Sequence, residues 1–181
     1  MKINSLAVFC GSRNGNNPIY TENAKELGKI LAKNNITLIY GGGSTGIMGA
    51  LADAMMENGG KVIGIIPQKL VDREHQHENI TELSVVDDMH VRKKRMYELC
   101  DAAVMLPGGV GTLDEFFEIV TWNSLSIHDK EIYIVNSANY FDLLLKHLER
   151  METQGFLYES VTERITVLED PQQLLKYIDT V

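Results

Sequence analysis

Seven short apolar runs, each too brief for a helix, alternate with longer amphipathic stretches along this chain. That alternation leaves few folds open to it. The runs cover residues 6–10, 37–40, 61–66, 83–86, 102–106, 132–135 and 165–168. Helical patterns lie between them near 18–34, 46–58, 89–100, 112–125 and 141–153, with a last helix from Pro171. Strands that are apolar on both faces and separated by helices predict a parallel sheet covered on both sides. Right-handed crossovers wind such a chain into an α/β, Rossmann-like, doubly wound parallel sheet of three α/β/α layers. No linker, internal repeat or low-complexity tract interrupts the pattern, so residues 1–181 are expected to form a single domain.

Ligands of doubly wound folds sit beyond the carboxyl ends of the strands. The glycines obey that rule. Gly11 follows the first strand, Gly41-Gly42-Gly43 the second and Gly108-Gly109 the fifth, while Pro67 opens a polar, charged loop over 67–82 after the third. The run Pro107-Gly108-Gly109-Val110-Gly111-Thr112-Leu113-Asp114-Glu115 leads from a buried strand into a helix. Its bare N–H groups and the positive helix end suit an anion. In Gly41-Gly42-Gly43-Ser44-Thr45-Gly46, glycines let a ligand approach the backbone, and Ser44 or Thr45 can donate to phosphate oxygens. No Gly-Lys-Ser/Thr follows, so this is not a P-loop. The next strand ends Ile65-Ile66-Pro67-Gln68, without the acid that grips a dinucleotide's ribose, which favours a mononucleotide over NAD. Gly11-Ser12-Arg13 makes a third anion-ready turn. Gly-rich turns also arise for purely steric reasons, and that reading stays open for each of them.

The chain carries 17 Lys and Arg against 25 Asp and Glu, a net charge of -8. That argues against a nucleic-acid partner, whose phosphates must be neutralised. The cations nevertheless cluster at Arg92, Lys93, Lys94 and Arg95, which points to a small anionic ligand. Arg92 can share a helix face with Met96 and Leu99, and a core-facing Arg needs an anionic partner. Lys93 and Lys94 read as a solvated face. The plain alternative for the cluster is an exposed cationic helix paired with Asp87 and Asp88. Thr112 and Glu115 have capping-box spacing, with Thr112 as N-cap. A cap does not require the Pro-Gly-Gly-x-Gly before it, so Glu115 is also read as chemical, and both roles can hold. Asp114 reads as complementing the helix dipole.

His75, His77, His90, His128 and His147 show no ligand spacing, so no metal is expected, and His75 and His77 read as solvated. Ser12 and Ser44 lack a Gly-x-Ser-x-Gly context. Trp122 reads as core. Cys10 and Cys100 form no CxxC pair and read as buried free thiols of a reducing compartment. The N-terminal apolar run resembles a first core strand rather than a signal peptide, and no window approaches the ~18 apolar residues of a membrane span. A cytoplasmic protein without a membrane partner is expected.

Gly41-Gly42-Gly43, Met89-His90-Val91-Arg92-Lys93 and Pro107–Glu115 together resemble the Lonely Guy family, and the similarity runs over nearly the whole chain, through Thr121-Trp122 and Ile127-His128-Asp129-Lys130. The paired motifs MHxRK and PGGxGTxxE are specific, and either alone is weaker. Members are cytokinin riboside 5′-monophosphate phosphoribohydrolases, long mislabelled as lysine decarboxylases. The resemblance implies a Rossmann-like homodimer that cleaves the N-glycosidic bond of a nucleoside 5′-monophosphate without a cofactor. It implies catalytic roles for Arg92 and Glu115, phosphate binding by Gly108, Gly109, Gly111 and Thr112, and a place for Lys93 in the substrate site. Gly11, Ser12, Gly42, Gly43 and Asp114 complete the expected substrate and phosphate set. Asp114 stands where many members have Glu, and Val110 where plant members often have Tyr. A non-catalytic nucleotide or molybdenum-cofactor carrier of the same fold is the competing reading.

Overall fold

The computed structural model describes residues 2–71 and 75–178. Its centre is one parallel sheet of seven strands: β1 (Ser5–Phe9), β2 (Thr37–Tyr40), β3 (Val62–Pro67), β4 (Glu82–Val86), β5 (Ala102–Met105), β6 (Ile132–Val135) and β7 (Ile165–Leu168). Their order is β4-β3-β2-β1-β5-β6-β7, every neighbouring pair parallel. Five α-helices connect them: α1 (Pro18–Lys33), α2 (Gly46–Glu57), α3 (Met89–Leu99), α4 (Val110–Ser124) and α5 (Asp142–Thr153). The expected last helix is a 3-10 helix, Pro171–Lys176, capped by Asp170.

Two apolar clusters flank the sheet, and every strand but the edge strand β4 feeds both because its side chains alternate. Leu6, Val8, Leu38 and Val104 pack with Leu27 and Leu31 of α1 and Leu51 and Met55 of α2. Ala7, Phe9, Ile39 and Met105 pack on the other face with Met96 and Tyr97 of α3, Phe116 and Ile119 of α4, and Leu148 of α5. Trp122 is half-buried against this second cluster, edge-on to Tyr97 at a centroid distance of 5.1 Å. Cys10 and Cys100 are buried and not joined in a disulfide, and burial pushes the Cys100 thiol up to about 11. No helix among the described residues is long and apolar enough to cross a membrane.

The strand order reverses between β1 and β5. From β1 the chain steps outward through β2, β3 and β4, then returns to pair β5 on the other side of β1. Crossovers therefore leave opposite faces of the sheet there, opening a crevice at the carboxyl ends of those two strands.

Candidate active site

A cavity of about 460 Å³ fills that crevice. Gly11, Ser12 and Arg13 enter it from the turn after β1, Pro107 to Thr112 from the turn after β5, Arg92 from α3 and Glu115 from α4. Two backbone bonds fasten the turns together. Gly11 N donates to Pro107 O at 3.1 Å, and Leu106 N to Phe9 O at 2.9 Å.

The helix after β5 starts earlier than capping-box spacing implies. Gly109 is the N-cap of α4, and Val110, Gly111 and Thr112 are its first three residues. Thr112 therefore does not cap. It is buried at the third helical position, its hydroxyl where a side chain on Gly108 would overlap it. Among the described residues, no side chain caps this helix end. Among the described residues, the N–H groups of 108–112 make no backbone hydrogen bond. A run of open donors at a positive helix end is suited to an anion. Glu115, one turn further on, is freed from the capping role and reaches the cavity while only 8% exposed.

Arg92 faces it. The guanidinium is 5% exposed, with Nη2 3.8 Å from Glu115 Oε1 and 3.4 Å from the carbonyl of Gly41. Its Nε is buried without a hydrogen-bond partner among the described residues. A buried, underused guanidinium facing a cavity is suited to an anionic or hydrogen-bond-accepting ligand. A side chain on Gly41 would overlap this guanidinium, which accounts for the first glycine of the β2 turn. Arg92 shares its buried face with Met96 as expected, whereas Leu99 lies partly exposed.

Four of the expected residues lie outside the cavity lining: Gly42, Gly43, Lys93 and Asp114. Gly42 packs on Ile66 and Leu83, and its carbonyl accepts from His77 N at 2.9 Å. Gly43 bridges to Gln76. Ser44 donates through both N and Oγ to His75 O, and Thr45 Oγ1 donates to Ser12 O, so neither hydroxyl waits for phosphate. His77 is buried rather than solvated. Its Nε2 lies 3.0 Å from Asp53 Oδ1, and its Nδ1 accepts from Asn79 N. The rest of that loop, 72–74, lies outside the described residues.

Lys93 is also not part of a solvated face. Its Nζ sits 3.0 Å from Asp114 and 3.1 Å from Glu118, tying α3 to α4. Burial acts to lower its pKa, but bonds and charge from the two carboxylates outweigh this and raise it. Asp114 falls beyond the first turn of α4, so it partners Lys93 rather than the helix end. Tyr97 completes the brace, its hydroxyl shared between Glu115 O at 3.0 Å and Glu118 Oε2 at 3.1 Å. Burial first, then the charges of Glu118 and Glu115, push that hydroxyl far above its ordinary pKa, so it stays a donor. Asp88, not Asp87, caps α3 by accepting from His90 N and Val91 N.

Tyr20, Leu70 and Tyr140, not singled out from sequence, line the remaining wall with Ile47, Met48 and Met89, which belong to the motifs but were given no role. They come from helix starts and loops, where no periodic signal marks a ligand contact.

The sequence model of a family described as "Possible lysine decarboxylase" matches residues 48–178. A cytokinin riboside 5′-monophosphate phosphoribohydrolase of Rhodococcoides fascians is 41% identical over 92% of this chain and 84% of its own. One from Arabidopsis thaliana is 40% identical over 98% and 84%. Among solved structures, the molybdenum cofactor binding protein of Rippkaea orientalis superposes with TM-score 0.74 at 20% identity, covering 98% of this chain and 96% of that one. The molybdenum cofactor carrier protein of Chlamydomonas reinhardtii gives 0.70 at 16%, over 98% and 96%. At those identities the likeness is one of fold.

Proposed function

The chain belongs to the Lonely Guy family, the group described as possible lysine decarboxylases, and from that premise we propose that it is a nucleoside 5′-monophosphate phosphoribohydrolase. Its substrates are AMP and N6-modified AMP, and its products the free base and ribose 5-phosphate. The observation that carries this reading is Glu115 and Arg92, 3.8 Å apart, at the floor of a cavity walled by the uncapped start of α4.

The open N–H groups of the turn after β5, with Gly11 and Ser12 opposite, take the 5′-phosphate, so a remote group positions the reacting carbon. Breaking the bond between the anomeric carbon and the base nitrogen builds oxocarbenium character on the ribose. The Glu115 carboxylate stabilises that cation and orients the water whose oxygen bonds the anomeric carbon. The bonding pair leaves with the base, which gains a proton, while the water gives one up through Glu115. Arg92 offsets the charge on the departing base or on phosphate. Lys93, Asp114 and Glu118 hold α3 against α4, and so hold Arg92 to Glu115.

A homodimer in a reducing cytoplasm belongs to the same reading. Exposed Val91 and Leu99 on α3, and Leu125 and Ile127 after α4, support a covered surface, and the two buried thiols support the compartment.

Incubation with AMP is expected to release adenine and ribose 5-phosphate, and Glu115→Gln to lower kcat about a hundredfold or more. A variant as fast as the parent overturns the mechanism. Saturable AMP binding without turnover identifies a carrier instead.

A further inference from the structure

We propose that Tyr140 is a positioning residue for the phosphate turn, an inference that rests on the phosphoribohydrolase reading above. Its hydroxyl donates to the carbonyl of Gly108 at 2.6 Å. That carbonyl and the Gly109 N–H belong to one planar trans peptide and point in opposite directions. Holding the carbonyl therefore fixes where the Gly109 N–H aims. Gly11 N does the same for the preceding peptide through the carbonyl of Pro107. Two consecutive N–H groups are thus aimed by donors that pull their partner carbonyls away, one from the backbone of β1's turn and one from Tyr140.

The chain invests in Tyr140's placement. Ala138 and Asn139, the two residues before it, both adopt left-handed backbone at φ 51° and 59°. An alanine adopts that region only when its surroundings impose it. Here Asn136 imposes it. Its Oδ1 accepts from Phe141 N at 2.7 Å, its Nδ2 donates to Asp142 Oδ1 at 2.8 Å, and its carbonyl accepts from Asn139 N at 3.0 Å. The Tyr140 ring is then clamped edge-on between Tyr20 at 5.5 Å and Phe141 at 4.9 Å. A tight turn built after β6, with its strain balanced by three bonds from one asparagine, delivers a hydroxyl to the turn after β5.

Tyr140→Phe keeps the ring and its stacking and removes only the hydroxyl. The readouts are calorimetric affinity for ribose 5-phosphate, steady-state kinetics with AMP, and binding of adenosine, which lacks the phosphate. Affinity for ribose 5-phosphate and KM for AMP are expected to worsen about three- to tenfold. The kcat is expected to change less than about twofold, and adenosine binding not at all. Should Tyr140→Phe fold poorly, Asn136→Ala keeps the hydroxyl but removes the side-chain bonds to Phe141 N and Asp142 that hold the turn, and the same phosphate-specific loss is expected. Unchanged ribose 5-phosphate affinity, or a loss shared equally by adenosine, overturns the proposal. A parent that binds ribose 5-phosphate but frees no adenine from AMP refutes the hydrolase reading, and Tyr140 is then judged on binding alone. A parent that binds no ribose 5-phosphate overturns the positioning role.

Discussion

The turns after β2 and after β5 look alike as sequence, each a glycine-rich passage from a buried strand into a helix, yet the structure uses them in opposite ways. After β2, the polar groups are bonded within the protein: Gly42 O to His77, Ser44 to His75, Thr45 to Ser12, and Met48 N to the carbonyl of Gly11. Its glycines admit neighbouring chain. A side chain on Gly46, at φ 63°, would run into the backbone of Ser12 and Arg13, and one on Gly42 would lie 3.1 Å from Ile66 and Leu83. After β5 the donors are open, and side chains built on Gly109 or Gly111 would meet nothing within 4 Å among the described residues. Glycine in the first turn makes room for protein; in the second, Gly108 does the same for Thr112, while Gly109 and Gly111 keep room for a ligand.

The strongest way to break this contrast is Gly46→Ala. Overlap with Ser12 plus the left-handed backbone is expected to destabilise the fold by about 2–4 kcal/mol, read as a lower denaturation midpoint or loss of soluble protein. A variant as stable as the parent would mean the turn after β2 is not a packing turn. Next comes Gly109→Asp. The backbone there is extended, at φ -97° and ψ -155°, open to any residue. A carboxylate at that N-cap competes for the donors assigned to phosphate. AMP affinity is expected to fall about a hundredfold, the loss of one or two charge-assisted bonds, while stability rises by a few tenths of a kcal/mol. Unchanged AMP binding would show that the donors serve something else.

The smallest effect uses α3, whose start, unlike that of α4, is capped. Bonds from Val91 N first, then His90 N and nearby cations, hold the exposed Asp88 carboxyl below its ordinary value of 3.8. Because the folded value is the lower one, the cap's stabilisation is present above 3.8 and is lost as pH falls through the folded value. Thermal midpoints of the parent and Asp88→Ala are therefore expected to differ at neutral pH and to converge below that window. A constant gap across the acid range would detach the cap from the carboxylate.

Much of the fold was legible because its signals are local. The runs at 37–40, 132–135 and 165–168 fall on β2, β6 and β7 to the residue, and the others within a residue or so. Of the cavity's two poles, Arg92 was legible because it shares a helix face with Met96, and Glu115 because a glycine-rich, anion-ready turn leads into it. What misled was spacing taken for geometry. Thr112 and Glu115 are three apart as in a capping box, but the helix begins at Val110 because Gly109 supplies the extended N-cap backbone. Lys93 read as solvated because its partners, Asp114 and Glu118, lie on another helix. His77 read as solvated because Asp53 is on α2. Tyr20 and Tyr140 carry no signal at all, since only the β1–β5 crevice makes them neighbours.

The pairing of β1 with β5 has a consequence in time as well as in space. Leu6 must wait for Ala102, whereas β1 can pair β2 as soon as Leu38 is available. The ladder between the sheet's two halves is thus the longest loop closure among neighbouring strands, and such closures come late in folding. Gly11 and Pro107 meet only through that ladder. Without that ladder the turns after β1 and β5 stay apart, so any grip on phosphate depends on the last and longest closure of the sheet.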